Sequence, residues 1–340
     1  MTKQVLVVED FSDGLNRLVV PLDTPPGQAS DVDNFSSRLA PALAVRAGRG
    51  RFATLGGAGT LLAPYLTAAG RYELIVGYAA TVAKHDGVTL TVLDTGFSGR
   101  VWSWAMWPDR DELYITNQVD GLRMYDGTTL AAAAGAPPAG DIVVLHKNRL
   151  WVAGIAATRA TARFCGLNAP ADWASTGPSG AGFIAFNTPD GSPITALVSG
   201  STLGVFKPAH VIEVAGDSPE EPGLPFNRLD RLVGRGTSSR QGAVMIGNTI
   251  YWVERGGLYE YLWGGEPVNV SLAANTLFAE IDTNRYTEAV LIASGDGRYL
   301  YVSLPCWTAW RTLVYDRFKR SWWEWKAFGF RAALLWHRPL

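Results

Sequence analysis

The chain is poor in most of what would mark a helical, disulfide-bonded or metal-binding protein. Cysteine occurs twice in 340 residues, at Cys165 and Cys306. Two distant cysteines form neither a framework nor a CxxC pair, which sets aside a disulfide scaffold and a zinc finger. Both read as small buried hydrophobes. Histidine occurs four times, at His85, His146, His210 and His337, in no HxxxH, HxH or HExxH arrangement. A metal site would therefore need distant residues to converge, and each histidine reads as structural or surface. No apolar run approaches the length of about 18 residues that spans a bilayer. The opening MTKQVLVVEDF has too short an apolar run for a secretory signal, so the chain is expected to be made and folded in a cytoplasm. Charge is also lacking in either direction. With 30 basic and 31 acidic residues the net charge is −1, which is not the footprint of a general nucleic-acid binder.

Helical periodicity is nearly absent as well. The best candidate is SLAANTLFAEID (271–282), with Ser271 as a cap and Leu272, Leu277, Phe278 and Ile281 facing inward. The alanines near 130–136 run into Pro137-Pro138, which forbids a long helix.

What is present is a succession of short β-type runs separated by turn dipeptides. Asp-Gly occurs at 13–14, 86–87, 120–121, 126–127, 190–191 and 296–297, and Gly-Gly at 256–257 and 264–265. Such pairs supply the positive φ that tight hairpins need. The runs fall into about six units of four strands: 60–94, 101–133, 141–174, 183–216, 243–271 and 289–326. In the third unit the fourth strand is taken to end in ADWA, and the fourth unit opens with GFIAF. That period and strand count predict a β-propeller of six or seven four-stranded blades, with a pair of β-sandwiches as the competing architecture.

Two domains are expected: 1–50 as an N-terminal arm with closing strands, and 51–340 as the propeller. The apolar tail FRAALLWHRPL (330–340) is expected to pair with the N-terminal runs QVLVV (4–8) and LAVRAG (43–48), because a shared closure removes open edges. Residues 11–42, rich in Pro, Asp, Ser and Gly, read as an extended arm over the propeller or onto a neighbour. Deletion of residues 1–42 is expected to leave a folded propeller that no longer assembles. AGDSPEEPGLPFNRLDR (215–231) reads as a long loop.

Motifs for chemistry are weak. There is no GxSxG elbow, and GRGRFATLGGAGT (48–60) lacks the Lys-Ser/Thr of a phosphate loop. Asp31/Asp33 and Glu220/Glu221 are close carboxylates without an EF-hand pattern. Trp102 and Trp104 share one strand face, as do Tyr259, Tyr261 and Trp263, as inter-blade packing requires. In RSWWEWKAF (320–328), alternation puts Trp323, Trp325 and Ala327 on one face and Trp322, Glu324 and Lys326 on the other. That leaves Trp322 as a candidate partner contact beside charges. Pro25 and Pro26 in the arm, and Glu220 and Glu221 in the long loop, are the other candidate contacts. No catalytic, cofactor-binding or metal-binding residue is assigned.

Several stretches, in order, resemble β-propeller proteins in the tails of double-stranded DNA bacteriophages. They are FSDGLN (11–16), PPGQASDVDN (25–34) and LAVRAG (43–48), then PITALVSGSTLGVFKPAHVIEVAGDSP (193–219), TIYWVERGGLYEYLWGGEPVNVS (249–271) and LVYDRFKRSWWEWK (313–326). The resemblance implies a virion structural protein of the nozzle or hub type, below the head-to-tail connector, and not an enzyme. It further implies a ring, of six copies by analogy, that helps retain and conduct packaged DNA without sequence-specific binding. Other tail or connector proteins would be its neighbours, and the virion tail, assembled in the host bacterial cytoplasm, its location. No cofactor and no membrane span are implied. Two alternatives remain: a carbohydrate-binding receptor-recognition propeller, with exposed coplanar aromatics, and a propeller hydrolase or lyase, with acids or histidines at one mouth of the channel.

Overall fold

Strand alternation and turn dipeptides resolve into six antiparallel sheets of four strands, each a propeller blade. The computed structural model describes residues 13–20, 23–25, 27–31, 35–36, 44–45, 53–219, 225–326 and 329–330. A small hairpin comes first, β1 (Phe35–Ser36) with β2 (Ala44–Val45). Blade 1 is β3 (Gly59–Leu66), β4 (Tyr72–Tyr78), β5 (Thr81–His85) and β6 (Leu90–Thr95). Blade 2 is β7 (Ser103–Trp107), β8 (Glu112–Asn117), β9 (Gly121–Tyr125) and β10 (Leu130–Ala132). Blade 3 is β11 (Ile142–His146), β12 (Arg149–Ala153), β13 (Thr161–Phe164) and β14 (Gly182–Ala185). Blade 4 is β15 (Ala196–Ser199), β16 (Leu203–Lys207), β17 (His210–Ala215) and β18 (Asn227–Val233). Blade 5 is β19 (Ala243–Ile246), β20 (Thr249–Glu254), β21 (Gly257–Leu262) and β22 (Val268–Asn269). Blade 6 is β23 (Val290–Ala293), β24 (Tyr299–Pro305), β25 (Trp310–Asp316) and β26 (Ser321–Trp325). The first strand of every blade borders the central channel.

The turn chemistry explains why these hairpins form. In Asp-Gly-Val-Thr (86–89) the Asp86 carboxylate accepts the N–H groups of Val88 and Thr89, while Gly87 takes a positive φ. Asp126 does the same with Thr128 and Thr129, and Asp316 with Phe318 and Lys319. Each is an Asx turn before the outermost strand of its blade. Asp190-Gly191 is different: it lies between β14 and β15 and links two blades instead of closing a hairpin.

Two sequence expectations shift by one strand. ADWA (171–174) is not a strand; the turns around it carry the chain from β13 to Gly182–Ala185, which is the fourth strand of blade 3 and not the first of blade 4. The fourth strand of blade 4 is Asn227–Val233, which begins inside the segment read as loop. The short helix is reduced to a 3-10 turn at Leu272–Ala274 followed by α1 (Asn275–Phe278). Leu277, Phe278 and Ile281 are buried, but Leu272 is exposed. Ser271 makes no side-chain cap; its Oγ accepts the Leu258 N–H instead.

Core formation is an affair between blades. Leu61, Tyr65, Ile75 and Phe97 of blade 1 meet Trp102, Leu113, Ile115 and Tyr125 of blade 2. Blades 2 and 3 meet through Trp107, Tyr114, Leu150 and Val152; blades 3 and 4 through Trp151, Phe164, Leu203 and Ile212. Blades 4 and 5 pack Phe206 and Val211 on Trp252, Tyr259 and Tyr261. Blades 5 and 6 enclose α1 between Tyr251, Leu258, Leu300, Tyr315 and Trp322. Each buried large side chain contributes about 1.5–3 kcal/mol.

The seam between blades 6 and 1 is built differently. Among the described residues no core cluster spans it. Blade 6 turns Val314, Trp323, Tyr299, Tyr301 and Trp325 towards Ala29 and Phe35 of the N-terminal arm. Blade 1 turns Leu74, Val76 and Ala83 towards Leu55. The arm is therefore part of the propeller. Leu15 is buried in the blade 5–6 core and its N–H donates to the Trp322 carbonyl at 2.8 Å. Gly14 has φ +81°, and a Cβ there would sit 2.5 Å from that same carbonyl oxygen, so glycine is required. Arg17 donates to Asp31 at 3.0 Å and to the fully buried Glu324 at 3.3 Å, which Arg311 also holds at 2.8 Å. The Trp325 indole donates to the Phe35 carbonyl at 3.1 Å. The expected pairing of 330–340 with 4–8 and 43–48 falls outside the described residues, apart from Phe330 and Ala44–Val45, and Ala44–Val45 pairs with Phe35–Ser36. Among the described strands each blade is complete in four consecutive segments. No described helix is long and apolar enough to cross a membrane.

This changes the expectation for the arm. Deleting residues 1–20 removes Leu15 and one partner of the buried Glu324, so a lower melting midpoint is expected, not merely a loss of assembly. Leu15→Ala alone is expected to cost about 2–5 kcal/mol in a denaturant titration. An unchanged midpoint for both variants would place the arm outside the cooperative fold.

Candidate functional site: the channel mouth

The first strands enter the channel from one face, and the residues just before them form a ring there. Gly59 and Thr60 open β3, Arg100 and Val101 precede β7, Asp141 precedes β11, and Thr195 precedes β15. Arg240 and Gln241 precede β19, and Ala289 precedes β23. Together with Arg159, Arg285 and Glu288 from nearby loops they line a cavity of about 790 Å3. A second space of about 340 Å3 continues down the channel past Leu61, Trp104, Val143 and Leu291.

Arg240 spans the mouth. Its guanidinium donates to the Val101 carbonyl at 3.1 Å and pairs with Asp141 at 3.1 Å, tying blade 5 to blades 2 and 3 across the axis. Burial lowers its pKa from the usual arginine value, Asp141 raises it, and the neighbouring Arg100 charge lowers it. Asp141 also accepts the Gln118 N–H at 3.1 Å. Arg285 is bidentate to Glu288, at 3.1 and 2.9 Å. Hydroxyls stitch blade 2 to blade 3: Ser103 Oγ accepts the Val143 N–H at 3.1 Å, and Thr116 donates to the Gly140 carbonyl at 2.8 Å.

Other ionisable groups inside the fold are tied to the scaffold. Arg149 is fully buried and donates to the carbonyls of Cys165, Pro178 and Gly180. Lys207, in the LGVFK strand, donates to the Phe186 carbonyl at 2.9 Å and to Thr188. Both cysteines are free and buried, and burial pushes each thiol up to about 11, so neither is a ready nucleophile at neutral pH. Among the described residues no group of three His, Cys, Asp or Glu converges for a metal. No histidine lines the mouth, and its two carboxylates are both ion-paired.

The contacts chosen from sequence do not converge on this site. Trp322 is buried against Phe278 and Tyr315 and donates to the Val270 carbonyl at 2.7 Å, so it cannot meet a partner. The strand alternation was right, but both faces of β26 are covered. Trp322 packs between blades 5 and 6, and Trp323 and Trp325 lie under the arm. Pro25 is exposed on the arm. Pro26, Glu220 and Glu221 lie outside the described residues, as do Asp33 and His337. Asp31 pairs with Arg17 and is no part of a metal cluster. The arginines of the mouth went unnoticed. Their signal is positional: Arg100 and Arg240 stand at equivalent places before the first strands of blades 2 and 5.

No family model and no curated protein matches the chain. Several solved structures are similar to it at low identity. One is the structure of U3-55K, at 10% identity and a TM-score of 0.49, covering 80% of this chain and 82% of that one. Another is the Cps50 (Swd1) β-propeller domain of Myceliophteria thermophila, at 12% and 0.47, covering 78% and 84%. A third is the WD40 repeats of RRP9, at 9% and 0.48, covering 80% and 81%. The likeness is one of fold alone.

His146 offers a test of how dry the scaffold is. Burial first, then the Lys147 charge, pulls it from 6.5 down to about 4, and its ring contacts Ser199 at 3.1 Å. The folded state thus binds fewer protons than the unfolded one between these values. Its stability contribution is complete above pH 6.5 and is lost as pH falls towards 4, by about 3 kcal/mol at most. In a His146→Gln variant, denaturant midpoints measured from pH 7 to 4.5 are expected to fall less steeply than in the wild type. Parallel slopes would contradict the assignment.

Proposed function

We propose that this chain is a structural, ring-forming propeller of a bacteriophage tail, of the nozzle or hub type, and not an enzyme. The observation that carries the structural role is the outer rim. The fourth strands of blades 1, 3, 4 and 5 each expose a large apolar side chain: Val92, Phe183, Val233 and Val268. Outermost strands with exposed apolar residues are suited to side-by-side, heterologous contacts between copies, the kind that close into rings. Blades 2 and 6 are the exceptions: the fourth strand of blade 2 exposes only alanines, and the arm already covers blade 6.

The phage setting is supported by the ordered resemblance of the arm and of blades 4, 5 and 6 to tail propellers. The residues in those stretches act as scaffold here: Lys207, Trp252, Tyr315 and Trp322 are all buried. Packaged DNA would pass through the lumen of the ring. The axis of one propeller is bridged by Arg240, so it is not the conduit. Other tail or connector proteins are the expected neighbours above and below, with the virion tail as the site of residence.

Electron microscopy and mass measurement of the purified chain are expected to show closed rings of several copies. Phe183→Ser with Val233→Ser is expected to yield monomers with an unchanged melting midpoint. A wild type that stays monomeric at high concentration contradicts the ring. Antibodies to the chain are expected to label virions at the tail; label confined to host cytoplasm contradicts the phage assignment.

A further inference from the structure

The channel mouth holds more positive charge than its own carboxylates consume. Its lining contains Arg100, Arg159, Arg240 and Arg285 against Asp141 and Glu288, so four cations face two anions, an excess of two. Asp141 is taken by Arg240 and Glu288 by Arg285. Arg100 and Arg159 are exposed on the rim and make no ion pair among the described residues. The Thr60 hydroxyl, on the same lining, is buried and has no hydrogen-bond partner among the described residues. Apolar side chains share this lining: Val101 is exposed, and Ile142, Ile194 and Val290 reach the cavity by an edge. A volume of about 790 Å3 lies within the usual range of small-ligand sites.

We infer that the mouth is a binding site for a dicarboxylate with a short apolar spacer, whose two carboxylates are held by Arg100 and Arg159 and whose spacer rests on Val101 and the edges of Ile142, Ile194 and Val290 that reach the cavity. A guanidinium presents a planar fork of donors that matches a carboxylate. Two unpaired forks over an apolar floor select a ligand with two acidic groups and little else polar. Arg240 is not free to take part, since moving it would abandon Asp141 and the Val101 carbonyl. It keeps the site shallow by spanning the channel beneath. The ligand has two possible sources: a free diacid, or two acidic side chains of a peptide segment from another protein. This inference does not depend on ring formation, and either reading can fail while the other stands.

The test is calorimetric titration of the full chain with glutarate, with an acetylated and amidated Glu-Gly-Glu peptide, and with inorganic phosphate, at low and physiological salt. Glutarate or the peptide is expected to bind, more weakly at the higher salt because exposed charges are screened. Arg100→Gln with Arg159→Gln is expected to lower that affinity at least tenfold with an unchanged melting midpoint, because both side chains are exposed and unpaired. Arg163→Gln, on β13 and away from the mouth, is expected to have no effect. Binding of glutarate points to a free diacid, and binding of the peptide alone to a protein partner. The inference is overturned if neither carboxylate probe binds, if phosphate binds and they do not, or if the double variant binds as well as the wild type.

Discussion

A four-stranded sheet with two apolar faces cannot stand alone in water, and every blade here has two apolar faces. Each is stable only because a neighbour covers it. That constraint explains the distribution of aromatic residues. Trp102, Trp107, Trp151, Trp252 and Trp322 are all fully buried, each at a junction where adjacent sheets diverge and a large side chain must fill the wedge. It also explains why the ring has a weak point. A chain that runs once around must bring its last blade to its first, and at that junction no shared cluster forms among the described residues. The N-terminal arm takes over, with Leu15, Ala29 and Phe35 placed against blade 6. A segment that reads in sequence as an arm over the propeller or onto a neighbour lies over blade 6 and serves as its wall.

The same constraint decides which polar residues are available for function. Arg149, Lys207, Glu324 and Asp316 are buried and paired with carbonyls or with each other's kind, so they hold loops and blades in register. Removing one partner of such a buried pair is costly because the other is left uncompensated. What remains free lies where blades converge on the axis or where the outermost strands meet solvent. Those two regions are the channel mouth with Arg100 and Arg159, and the apolar rim with Phe183 and Val233.

Local physics made most strands readable. Asp86 and Asp126, each followed by Gly and then a Thr two positions later, announce hairpins from sequence because the carboxylate and the glycine do all the work within four residues. Blade assignment failed where the deciding contact is distant. GFIAF reads equally well as the end of one blade or the start of the next, and only pairing of Phe183 with Arg163 places it in blade 3. NRLDRLV carries charges at Arg228, Asp230 and Arg231, which breaks strand alternation, and follows three prolines, so its strand character shows only beside β17. Trp322 and Trp323 were correctly put on opposite faces. That both faces would be covered depended on Leu15 and Phe35, some 290 residues or more away along the chain. The mouth could not be read at all, because Val101, Asp141 and Arg240 meet only when the ring closes.

The arm is a structural wall of blade 6. Hydrogen exchange of its backbone measures this most directly. The amides of Leu15, Asn16 and Ala29 are bonded to the carbonyls of Trp322, Ala29 and Gly14 at 2.8–2.9 Å. They are expected to exchange as slowly as those of β24 and β25, opening only with the blade. Exchange of these amides within seconds, while blade 6 stays protected, would contradict the account.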